Sequence, residues 1–137
     1  MRALSLAGLL ALMTLLAACS QSPDGDVVRD ALNRELQDAH LNELLEVTEV
    51  EVVKTYPQED ENQYTLDVLY TLEARQGLSE YTRTIKQDEE RNAMDRFAMI
   101  MALAAVRVEF GNFEAGDTFR QERRLDLQRG EDGWRIP

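Results

Sequence analysis

The sequence predicts an α+β domain: an antiparallel sheet of four to five strands with two helices packed on one face. Three observations carry that expectation. Tyr64, Leu66, Val68, Tyr70, Leu72 and Ala74 alternate with residues that are polar except for Leu69, the period of a half-buried strand. Val28, Leu32, Leu36 and Ala39 recur at spacings of four, four and three, the stripe of an amphipathic helix. Phe97 to Val106 is an unbroken apolar run bounded by Arg96 and Arg107. At about 1.5 Å per residue it makes a buried or surface helix but is too short to cross a bilayer.

Composition bounds the rest. The chain has 137 residues, 44% of them hydrophobic and 30% charged, enough for one domain with its own core. With 26 acidic against 15 basic residues the formal charge is -11. Nucleic acid is therefore a disfavoured partner, because phosphate neutralisation needs a surplus of Lys and Arg. One Cys and one His exclude an internal disulfide and leave almost no self-contained metal cage.

The N-terminus has its own logic. Met1-Arg2 supplies a positive start, Leu6 to Leu16 an apolar run, and Ala17-Ala18 a small-residue cleavage site ahead of Cys19. Residues 1–18 read as a secretory signal, residues 19–25 as a polar tether and residues 26–137 as a single domain. Leu16-Ala17-Ala18-Cys19 resembles the lipobox of bacterial lipoproteins. That resemblance implies cleavage between Ala18 and Cys19 and acyl chains on the Cys19 sulfur and amine. Ser20, rather than Asp, follows the Cys. By the same resemblance this implies an outer-membrane anchor facing the periplasm, with the membrane as first partner.

Along the domain, Asp26 is the expected N-cap of a helix from Val27 to His40. Leu44 to Tyr56 turns β-like, with Val47, Val50, Val52 and Val53 among Glu and Thr. Pro57 and the run Gln58 to Gln63 make a turn, and Glu59-Asp60-Glu61 reads as its solvated tip. The strand Tyr64 to Ala74 follows, then Gln76-Gly77 as a turn. Leu78 to Lys86, with Tyr81 and Ile85 on one face, is the expected return strand. Asp88-Glu89-Glu90 opens a second helix, the acids suiting the positive end of its dipole, and Gly111-Asn112 ends it. Thr118 to Gln128 is a strand, Arg129 to Gly133 a turn, and Trp134 and Ile136 a last short strand. The predicted order is α-β-β-β-α-β-β, which is similar to small NTF2-like or cystatin-like periplasmic domains.

No side chains gather into a catalytic motif. There is no Gly-rich phosphate loop, nucleophile elbow or zinc spacing, and no cofactor or metal is implied. His40 is the sole imidazole and falls at the end of the first helix, where a cation suits the dipole. What remains are surfaces. At 100° per residue the second helix carries two stripes. Met94, Phe97, Met101, Ala104 and Val108 form one, expected to face the core. Met99, Leu103, Val106 and Phe110 form the other, the candidate partner surface for a second copy, an envelope protein or the membrane. A second candidate is a pocket: Gln121 and Arg123 fall in the apolar register of the Phe119 strand, where Tyr70 and Trp134, with Tyr64 and Tyr81, could wall a small apolar ligand above a cationic floor. Arg120, Arg124 and Asp126 are expected to pair across strands with acids such as Glu49 or Glu51. The function so predicted is a non-catalytic, lipid-anchored accessory, scaffold or interaction domain of the cell envelope. The alternative is a module that binds a small apolar ligand.

Overall fold

A computed structural model describes residues 22–137. The Leu16–Cys19 motif and the signal segment lie outside the described residues. The elements are helix α1 (Gly25–Asp38), strands β1 (Leu45–Pro57) and β2 (Gln63–Ala74), helices α2 (Leu78–Gln87) and α3 (Ala93–Phe110), and strands β3 (Thr118–Gly130) and β4 (Gly133–Arg135). The fold is α+β with one open antiparallel sheet in the order β1-β2-β3-β4. It differs from the expected order at one element: Leu78 to Gln87 is a helix, so the described residues hold three helices and four strands.

The reason lies in spacing. Leu78, Tyr81 and Ile85 are buried at intervals of three and four, a helical stripe. A strand would need apolar residues at 79 and 83, where Ser79 and Arg83 stand. Gly77 caps the helix start and the Leu78 N–H bonds to Phe113 O at 3.0 Å, turning the chain off the sheet. As a result β2 pairs directly with β3 around the α2–α3 excursion.

Helix α1 begins earlier than expected. Asp24, extended and preceded by buried Pro23, accepts from the Val27 N–H at 2.9 Å and is the N-cap, while Asp26 sits in the first turn. Buried Pro23 and the Asp24 cap thus precede Asp26, the expected first residue of the domain. Gly25 backs onto β1: a Cβ there would stand 3.0 Å from Val50 O. Further along, Asn33 clips the same strand, donating to Val47 O at 3.0 Å and accepting from Val47 N at 2.8 Å.

Strand β1 explains its own irregular valines. Its pairing with β2 slips between Val47 and Glu49 and again between Val52 and Lys54. Each bulge flips the alternation. Val47, then Val50 and Val52, then Thr55 thus oppose Leu72, Tyr70, Val68 and Leu66 in turn. Val53 lies at the second bulge and is exposed.

Two cores result. Under α1, Val28, Ala31 and Leu32 pack on Val47, Leu66, Val68, Leu72, Leu125 and Leu127. At the end of the sheet, Leu78, Tyr81 and Ile85 of α2 meet Met99, Leu103 and Val106 of α3 over Leu44, Leu45, Ala74 and Phe113. Both cores are built from residues 22–137. The opposite sheet face is largely polar, and no helix among the described residues covers it.

Candidate functional site

The most exposed apolar surface among the described residues lies on the α2–α3 hairpin. Asp88 to Asn92 form the link between the helices: Asp88 accepts from Glu90 N and from Arg91 Nε, both at 3.1 Å. The acids expected to open the second helix thus lie before it. Asn92 caps α3, accepting from Asp95 N at 2.8 Å. Gly111, at φ 78°, closes it.

The two stripes of α3 exchange the roles the sequence predicts. Met99, Leu103 and Val106 are buried in the monomer, Leu103 at 1% exposure, and Phe110 is half-buried against Phe119 with ring centroids 5.0 Å apart. They form core, not a partner surface. The stripe expected in the core is the free one: Met94 is 79% exposed, Phe97 63%, Met101 56% and Val108 90%, with Ala104 exposed between them. The cause is α2. As a helix it lies against the Met99–Leu103–Val106 side, and nothing among the described residues covers the other side.

An open groove of about 360 Å³ runs between the two helices beside that stripe. Leu78, Ile100, Leu103 and Ala104 floor it, and Arg83, Lys86 and Arg107 rim it. Among the described residues none of these three cations makes an ion pair. On a chain of charge -11 this is a local cationic edge against apolar surface.

The expected pocket residues are only partly brought together. Tyr70 pairs with Gln121 in register, and Arg123 follows on the same face beneath α1. Arg123 is not left free for a ligand: its Nη1 and Nη2 donate to Glu35 Oε1 and Oε2 at 2.7 and 3.1 Å. Glu35 holds that guanidinium more firmly charged, and burial pushes the Tyr70 phenol above its ordinary value. Trp134 stands elsewhere, edge-on to Tyr64 at 5.6 Å and beneath Arg129.

Sequence reasoning missed the polar network on the open sheet face. Arg124 donates from Nε to Asp67 Oδ1 at 2.7 Å and from Nη2 to Asp67 Oδ2 at 3.1 Å, and the Tyr56 hydroxyl donates to Asp67 Oδ2 at 2.8 Å. Arg124 and Lys54 both lie 4.8 Å from the Tyr56 ring centroid. Arg124 thus pairs with Asp67, and Asp126 accepts from Thr65 Oγ1 at 2.6 Å, rather than either meeting Glu49 or Glu51. Arg120 does share a shallow recess with those two acids. Knowing that β2 neighbours β3 would have found the pairs, since Asp67 and Arg124 are direct register partners. The network ties β1, β2 and β3 together through Tyr56, Asp67 and Arg124.

His40 is exposed at φ 59°, in the turn after α1. Among the described residues no group of His, Cys, Asp or Glu could hold a metal ion, and no helix is long and apolar enough to cross a membrane. No family model matches the chain, and neither curated proteins nor solved structures give a match.

Proposed function

We propose that the chain is a non-catalytic, lipid-anchored interaction domain of the bacterial cell envelope, held to the outer membrane through Cys19 and facing the periplasm. Its working surface is the free face of α3. One observation carries this reading: Met94, Phe97, Met101 and Val108 stand more than half exposed on a single face of one helix. Soluble domains seldom leave such a row uncovered without a partner, and methionine suits an adaptable contact. The adjoining rim of Arg83, Lys86 and Arg107 defines the partner's chemistry. It is an envelope protein that presents an apolar segment flanked by carboxylates.

The anchor fits the start of the fold. Pro23 is already buried, so only Ser20 to Ser22 separate Cys19 from the domain. At about 3.5 Å per residue the domain hangs within about 14 Å of the acylated residue. The partner is therefore met close to the membrane surface.

The test uses the full chain in cells. A photo-crosslinking residue at Phe97 or Met101 should yield one discrete protein adduct, and the same residue at Glu122 on the sheet should not. Arg83→Glu with Arg107→Glu should abolish the adduct while leaving the melt of the purified chain unchanged. Adducts to lipid alone, or an adduct indifferent to the charge reversal, would refute the reading. Cys19→Ser should release the chain from the membrane fraction; retention at high salt would remove the anchor from the proposal.

A further inference from the structure

The two long edges of the sheet are treated differently. The β1 edge is guarded by two bulges, by the Asn33 side chain bonded to both Val47 N and Val47 O, and by Gly25 against Val50 O. These are ordinary devices against edge-to-edge pairing. The β3 edge has no bulge: its register with β2 runs unbroken from Thr118 to Gln128. β4 covers only Gln128, Arg129 and Gly130. From Phe119 to Leu127 the outer side of β3 makes no backbone–backbone hydrogen bond among the described residues, and Arg120 O accepts from the neighbouring Gln121 Nε2 at 3.0 Å.

That free stretch is centred on Arg123, and its charges are self-complementary about the same residue. On the open face stand Arg120, Glu122, Arg124 and Asp126, in the order plus, minus, plus, minus. In an antiparallel pair across a twofold axis, residues of the same face oppose one another. With Arg123 at the centre, Arg120 meets the partner's Asp126 and Glu122 meets the partner's Arg124. Shifting the centre by one residue puts like charges together, Arg120 against the partner's Arg124 or Glu122 against the partner's Asp126. Phe119 meets the partner's Leu127 on the other face. The central Arg123 residues oppose each other, but each is already neutralised by its own Glu35.

We propose that a second copy of this chain pairs along β3, antiparallel and centred on Arg123. The product is one continuous sheet running β1-β2-β3-β3-β2-β1. Arg120 and Glu122, which make no ion pair among the described residues, gain partners. The Asp67–Arg124 pair extends to the partner's Glu122. The register in which charges match is also the one in which the free edges overlap fully, leaving β4 of each copy just outside the pairing. This is independent of the α3 surface.

A reciprocal charge swap tests it. Residues 22–137, which contain both cores, are followed by sedimentation velocity over a concentration series. The unsubstituted chain should show reversible dimerisation. Arg120→Glu alone and Asp126→Arg alone should each weaken it by at least about tenfold, because each then opposes a like charge twice across the axis. An equimolar mixture of the two variants should dimerise again, since the introduced carboxylate on one chain meets the introduced guanidinium on the other. If Asp126→Arg loses its melting transition, Glu122→Lys, facing the partner's Arg124, supplies the same readout of weakened pairing. A chain that stays monomeric throughout overturns the proposal. So does a dimer that both single variants leave unchanged, or a mixture no tighter than its components.

Discussion

Arg123 on β3 grips Glu35 on α1 through two parallel hydrogen bonds, tying together positions 88 residues apart in the chain. The fork geometry makes this the strongest type of ion pair. Both side chains keep about two-fifths of their exposure, so water screens the attraction. Arg123→Met or Glu35→Gln should each cost about 1 kcal/mol in urea unfolding. The double variant should cost no more than the worse single. Strict additivity would mean that the pair contributes nothing to holding α1 on the sheet.

The end of α1 stores a small strain. His40 adopts φ 59°, its N–H donating to Gln37 O at 3.0 Å while the Leu41 N–H reaches Leu36 O at 2.8 Å. This is the left-handed stop that glycine fills most often. His40→Gly should raise stability by about 0.5 kcal/mol, the relieved strain slightly exceeding the added freedom of the unfolded chain. His40→Val should lower it by about 1 kcal/mol or more, since β-branching resists the left-handed region. Equal urea midpoints for the three chains would show that the turn imposes no such demand.

Asp67 should contribute to the acid limb of stability. Hydrogen bonds from Arg124 and then Tyr56 hold its carboxyl below the ordinary aspartate value. A carboxylate depressed in the folded state stabilises the fold above its unfolded value. That contribution fades as pH falls through the depressed one. Asp67→Asn should therefore flatten the decline of the urea midpoint below about pH 4 and lower the plateau above it. A variant whose midpoint falls with acid as steeply as the parent's would place the titration elsewhere.

How much of this was legible depended on contrast between neighbours. The β2 alternation was unambiguous because Asp67, Thr71 and Glu73 interrupt it, and that strand stands where the pattern put it. At 78–86 only Leu78, Tyr81 and Ile85 are large and apolar, and Tyr81 and Ile85 fit alternation as well as a helical stripe. Leu78 decides for the helix, being three residues from Tyr81. On α3 both stripes are almost equally apolar, so periodicity located them but could not rank them. Which one faced inward depended on α2, already read as a strand. The pocket failed for another reason: Glu35, on helix α1, reaches Arg123 and takes its guanidinium. The self-complementary charges of β3 were visible from the start, but only the strand order shows that this edge is free.

The exchanged stripes of α3 give the clearest discrimination. Leu103 is 1% exposed between α2 and the sheet end, so Leu103→Ala should cost about 2–4 kcal/mol. Leu103→Glu should abolish the melting transition, because a lone carboxylate in that core has no partner. Met101 and Val108 lie two and five residues away along the same helix, yet are 56% and 90% exposed. Met101→Ala and Val108→Ala should each stay within about 0.5 kcal/mol of the parent. Met101→Glu should likewise leave the circular-dichroism melt in place while removing the photo-adduct formed from Phe97. The melt of the purified chain and the adduct formed in cells are read for the same variants, so a folding defect and a docking defect are told apart. Should Met101→Ala prove the costly change and Leu103→Ala the silent one, α3 would be rotated by half a turn, and the free face would be the Met99, Leu103 and Val106 stripe that the sequence analysis expects.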